Sequence, residues 1–172
     1  MGKISVDAFL REYGIAAKQK DSAMETFIKK HIVVDYVNFI NKEDVCNRIV
    51  EVTCHSEILN KRIVIINSPA RYILFIMNLI SLYTDIDIIF EDGLINQYDK
   101  LNKAGAISVL IDAIPEAEYS EFNTILNMKI DDFMNNEYSL ISVLRNFKEE
   151  LSISKDNINS VIETIMKQEE SE

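Results

Sequence analysis

Tryptophan is absent from this chain, and four other residue types are scarce: four Gly, two Pro, two Cys and two His in 172 residues. So few turn-forming residues argue against a sandwich or barrel built from many tight hairpins. Four scattered glycines cannot cradle a phosphate, and no G-x-G-x-x-G, P-loop, G-x-S-x-G or H-E-x-x-H sequence occurs. The two cysteines, Cys46 and Cys54, are too few for a disulfide framework. If both lie on one helix they stand about 12 Å apart along its axis, beyond the reach of a disulfide. Reduced, buried thiols in an intracellular protein are therefore expected.

Positive charge is in deficit. The chain carries 18 Lys and Arg against 28 Asp and Glu, a net charge of −10, which argues against gripping a nucleic-acid backbone over a broad surface. A local basic stripe, Arg11, Lys18, Lys20, Lys29 and Lys30, lacks the interleaved aromatics that stack bases, and reads as a solvated face. The imbalance is uneven, with +2 over residues 1–80 and −12 over 81–172. Long apolar runs are missing too. Tyr72 to Tyr83 is the longest, and Asn78 and Ser81 interrupt it, so it predicts a buried core helix and no membrane association. The N-terminal stretch meets Asp7 before any apolar run of signal-peptide length, so the expected location is the cytoplasm.

Hydrophobic residues make up 48% of the chain and charged residues 27%, the balance of a globular domain. The expected fold is mostly α: a compact bundle of about eight short helices around a central buried helix near 69–83, with one small hairpin or sheet. A single domain over 1–167 and a frayed acidic tail over 168–172 follow from the lack of any linker composition. Ser5 is placed to cap a first helix ended by Gly14, Asp21 a second, and Asn41 a third carrying Val45, Ile49 and Val52 on one face. Asn60-Lys61 reads as a turn before the β-branched run Arg62–Ile66. Ser68-Pro69 opens the central helix, with Ser at N-cap and Pro at N1. Asp85–Phe90 alternates like a strand and is expected to pair with the earlier β-branched run. Leu94 to about Gly105, Ile107–Ile114, a helix opened by Pro115, Leu140–Leu151 and Ser154 to about Lys167 complete the helices.

No catalytic, metal or cofactor-binding residues are assigned, and the chain is expected not to be an enzyme. Asp85, Asp87, Glu91 and Asp92 surround a turn but lack the spacing of a calcium loop. Asp131-Asp132 with Glu137 is similar, and adjacent helical residues do not face each other. His31, His55, Cys46 and Cys54 match no zinc spacing. His31 sits on an apolar face four residues before Asp35, where a hydrogen-bonded or half-exposed helical histidine is expected, and His55 is expected near a helix end as a favourable dipole contact. What remains is contact. The run Ile32, Val33, Val34, Tyr36, Val37, Phe39 and Ile40 has mixed periodicity, which reads as ordinary core first and otherwise as apolar surface kept for a partner or a second copy. Candidate partner-binding residues are Val37, Phe39 and Ile40 in that run, and Asp85, Asp87, Glu91 and Asp92 in the acidic turn.

Asn67-Ser68-Pro69-Ala70-Arg71-Tyr72 and Leu82-Tyr83-Thr84-Asp85-Ile86-Asp87, with Lys29-Lys30-His31-Ile32-Val33 and Asn123-Thr124-Ile125-Leu126-Asn127-Met128, resemble small acidic proteins of phages and prophages of Gram-positive bacteria. The resemblance implies a non-enzymatic virion assembly or structural protein: a tail-assembly chaperone, a head–tail completion protein or a minor virion protein. Its partner would be another protein, such as a virion protein, or itself, in the host cytoplasm or within the virion. The alternative is a host-directed inhibitor whose acidic half imitates nucleic-acid phosphate in a partner's basic groove.

Overall fold

A computed structural model describes residues 2–19, 21–58 and 62–137. The chain divides into two compact units, Met1–Asp131 and Asp132–Glu172. All that follows concerns the first, apart from the last six residues of the final described helix, 132–137. The single domain expected over 1–167, the tail, and the helices expected at 140–151 and 154–167 reach outside the described residues.

The architecture is mostly helical. Ser5 closes a two-residue strand, β1 (Ile4–Ser5), and its hydroxyl accepts from Ala8 N–H at 3.2 Å to cap α1 (Val6–Ala16). Helix α1 does not stop at Gly14. Its inner stripe of Val6, Phe9, Tyr13 and Ala16 continues past that glycine, and burial of the stripe outweighs the roughly 1 kcal/mol a mid-helix glycine costs. α2 (Asp21–His31) lies against α1, where Phe9, Tyr13 and Phe27 stack at ring separations of 5.5–6.3 Å.

α3 (Phe39–Thr53) begins two residues earlier than Asn41, because the Asn38 side chain accepts from Asn41 N–H at 2.9 Å and is the true cap. That shift puts Phe39 and Ile40 into the first helical turn. The chain then enters an antiparallel hairpin, β2 (Cys54–Ile58) and β3 (Arg62–Ile66), in which Cys54 is opposite Ile66 and Ile58 opposite Arg62. Cys54 is thus the first residue of a strand, not a helical residue, and both cysteines are free and buried.

α4 (Ser68–Tyr83) is the central helix. Its cap is Asn67, which accepts from Ala70 N–H at 3.1 Å, and Ser68 is the first helical residue. Phe75, Ile76, Met77, Leu79, Ile80 and Tyr83 are buried along it. Beyond it, β4 (Ile86–Asp87) pairs in parallel with β1, Ile4 opposite Ile86, and not with β3 as the alternation suggested. β3 already has β2, its near neighbour in sequence, as its partner, the cheaper closure, and the turn expected at Asn60-Lys61 lies outside the described residues. α5 (Leu94–Lys103), α6 (Ala106–Asp112) and α7 (Glu116–Glu137) follow. Gly93 (φ 119°) and Gly105 (φ 70°) precede α5 and α6 in left-handed conformations that only glycine adopts without strain. Phe122, Ile125, Leu126 and Ile130 form the buried face of α7, with Phe75 and Tyr83 of α4 stacked edge-on against Phe122.

Candidate interaction surface

The connection between α2 and α3 is pinned at both ends. Its first residue, Ile32, forms a β-bridge with Thr84, and Val33 N–H donates to Tyr83 C=O at 2.9 Å. Asp85 N–H donates to His31 C=O at 3.1 Å, and Val37 N–H donates to the Glu118 carboxylate at 3.0 Å. Backbone donors that a surface loop would leave to water are therefore bonded to α7 and to the end of α4. On this fixed segment the apolar side chains divide. Val37 is buried at 6% exposure, while Tyr36 (64%), Phe39 (52%) and Ile40 (68%) lie open, with Val33 beside them.

Beneath the segment lies an ionic cluster. Lys42, with no exposed surface, places its ammonium 2.9 Å from Glu118 and also pairs with Glu121. The Tyr83 hydroxyl donates to the same Glu118 oxygen at 2.5 Å. The Lys42 ammonium stands 5.0 Å from the Tyr36 ring centroid and 5.9 Å from that of Phe122, cation–π contacts that attach Tyr36 to the cluster. Burial alone would lower the Lys42 pKa, but bonds to Glu121 and Glu118 carry it above its ordinary value. Burial would likewise raise Glu118, yet the Tyr83 hydroxyl, the Val37 N–H and Lys42 together hold it below the usual carboxylate range. Burial and the adjacent Glu118 push Tyr83 strongly upward. The lysine therefore stays protonated, the glutamate ionised and the phenol neutral. None of the three is poised as a base or nucleophile near neutral pH, and the cluster is a clamp.

Sequence reasoning missed Lys42, Glu118 and Tyr83, and named Tyr36 only as one member of the apolar run. Lys42 sits in the polar string Asn41-Lys42-Glu43-Asp44, which reads as solvated, and its partner Glu121 is 79 positions away.

The acidic turn does not form one surface. Asp85 is buried, its carboxylate accepting from His31 Nδ1 at 2.8 Å, so His31 is a buried, hydrogen-bonded histidine and not a half-exposed one, with its partner 54 positions away. The His31 ring meets Phe9 and Phe27 edge-on, and its Nε2 is buried with no hydrogen-bond partner among the described residues. Asp87, Glu91 and Asp92 are exposed, with the exposed Ile89 and Phe90 between them. Val37 and Asp85 therefore cannot meet a partner from the surface, whereas Phe39, Ile40, Asp87, Glu91 and Asp92 can.

Cys46 donates to Phe122 C=O, and burial pushes its thiol up to about 11. His55 lies in β2, directly after the Cys54 C-cap of α3, and so near a helix end. Among the described residues no group of three or more His, Cys, Asp or Glu is placed to hold a metal ion, and no helix is long and apolar enough to cross a membrane. Of the basic stripe, Lys30 pairs with Glu12 at 3.7 Å, and Arg11, Lys18 and Lys29 are exposed. No protein-family model, curated protein or solved structure matches the chain.

Proposed function

We propose that this is a non-enzymatic protein–protein interaction protein that uses Tyr36, Phe39 and Ile40 as contact residues. One observation carries the reading: large apolar side chains stand open on a segment whose backbone and neighbouring ring are fixed by a buried ionic clamp. Apolar surface held in one conformation loses little entropy on association, the condition for a good contact site. The phage context, in which it would serve virion assembly or structure as a tail-assembly chaperone, head–tail completion protein or minor virion protein, rests on the sequence resemblance. The alternative of an acidic inhibitor is supported by Asp87, Glu91 and Asp92 only, since Asp85 is enclosed.

Light scattering over a tenfold concentration range, at low and high salt, tests the reading. A discrete oligomer that survives salt is expected, and Phe39→Asp with Ile40→Asp should reduce it to monomer with far-UV circular dichroism unchanged. A double variant that unfolds would show these residues to be core. A double variant that associates like the wild type would remove the surface from the proposal.

A further inference from the structure

A second apolar site lies apart from the Tyr36–Ile40 segment. α3 contributes Val45, Arg48, Ile49 and Val52, and α4 contributes Leu74, Asn78, Ser81 and Leu82. Each set follows helical three- and four-residue spacing, so each is one stripe. The stripes and Phe90 enclose a pocket of about 450 Å³, within the range of small-molecule sites. Phe90 is held from outside the core. The Gln97 side-chain amide accepts from Ile89 N–H at 3.2 Å and donates to Ile89 C=O at 2.9 Å, imitating a strand neighbour and fixing the residue before the ring. The wall is therefore preformed.

We infer that this pocket binds a small amphiphile, an unbranched apolar chain ending in a carboxylate. Val45, Ile49, Val52, Leu74, Leu82 and Phe90 supply an apolar lining. Leu74 to Leu82 covers about 12 Å along α4, room for a chain of medium length. Charge selects the head group. Arg48 lines the pocket and, among the described residues, has no ion-pair or hydrogen-bond partner and shares the lining with no carboxylate. A second cation, Lys3, reaches Ser81 at the rim, where it donates at 3.3 Å to the carbonyl and the hydroxyl, both neutral acceptors. A guanidinium beside an apolar slot takes a carboxylate through paired hydrogen bonds and favours it over a neutral or cationic head.

Calorimetric titration of the full chain with sodium decanoate, below its micellar range, is the test. Saturable one-to-one binding is expected, with no binding of acetate and roughly tenfold weaker binding of decanol, the loss of one charge-assisted hydrogen bond. Arg48→Gln should weaken decanoate by about the same factor. Val52→Trp, at an exposed position of the lining, should block it without altering the circular dichroism spectrum. Equal affinity for decanol and decanoate, or indifference to Arg48→Gln, would overturn the proposal. So would a failure of decanoate to bind while Val52→Trp abolishes self-association, which would assign the pocket to a protein partner.

Discussion

Lys42→Met removes the cation from the buried clamp while keeping most of the side-chain length. Glu118 then retains the Tyr83 hydroxyl and the Val37 N–H but loses the ammonium 2.9 Å away. Removing one partner of a buried pair typically costs about 3–5 kcal/mol, because the other charge stays desolvated. Two remaining donors on Glu118, and a half-exposed Glu121 that water can reach, place this case near the lower end. About 3 kcal/mol corresponds to a fall in melting temperature of roughly 6–12 °C for a chain of this size. Urea unfolding followed by circular dichroism reads the change directly. Adding Glu118→Gln should return part of the loss, since neither charge is then buried alone, and the double-variant cycle should show at least about 1 kcal/mol of coupling. The same single substitution should weaken self-association, because Tyr36 loses the cation that anchors its ring. A Lys42→Met protein within about 0.5 kcal/mol of wild type, or strictly additive effects of the two substitutions, would refute the clamp.

Glu118 makes the acid limb of stability specific. Its carboxyl is held below the ordinary 4.5, so its contribution is present above that pH and is lost as pH falls through the folded value. Lys42 is raised above 10.5, so its contribution is present below that pH and is lost only as pH rises through the folded value. Urea stability measured from pH 7 down to 3 should therefore fall less steeply in Glu118→Gln than in wild type; parallel curves would contradict the assignment. The buried thiols make a separate prediction. Neither Cys46, whose thiol is pushed up to about 11, nor Cys54 should react with a disulfide reagent in the native protein, and both should react in urea. Prompt native labelling would show that one is accessible. At the start of α4, Asn67→Ala should cost about 1 kcal/mol through loss of the cap, and an unchanged urea midpoint would place the cap elsewhere.

The helical framework was legible because its signal is local. An all-round apolar stretch such as Tyr72–Tyr83 has nowhere to go but the interior, and caps at Ser5 and near Ser68 can be read from a few residues. Boundaries shifted where several polar residues competed for one cap, as with Asn38 and Asn41, or Asn67 and Ser68. The pairing of Ile4–Ser5 with Ile86–Asp87 was illegible. Two residues carry no alternation, and their partner lies across most of the first unit. The polar interior was hidden for a similar reason. Lys42 and Asp85 look solvated in their own neighbourhoods, and only the fold brings Glu118 and His31 to them.

Those hidden pairs bear on function through where they act. Lys42, Glu118 and Tyr83 hold Tyr36 and Val37. His31 and Asp85 join the end of α2 to the chain just beyond α4, where Val33 N–H also meets Tyr83 C=O. Both sets of buried polar bonds thus converge on the single connection between α2 and α3. Burying charges is a costly way to secure a loop, and a short solvated turn would join two helices with no such outlay. A fold whose buried charges gather behind one segment, while that segment turns Tyr36, Phe39 and Ile40 to water, has the arrangement expected of a rigid contact surface. The prediction for Lys42→Met is therefore double: lost stability and lost association should appear together, whereas Phe39→Asp with Ile40→Asp should lose association alone.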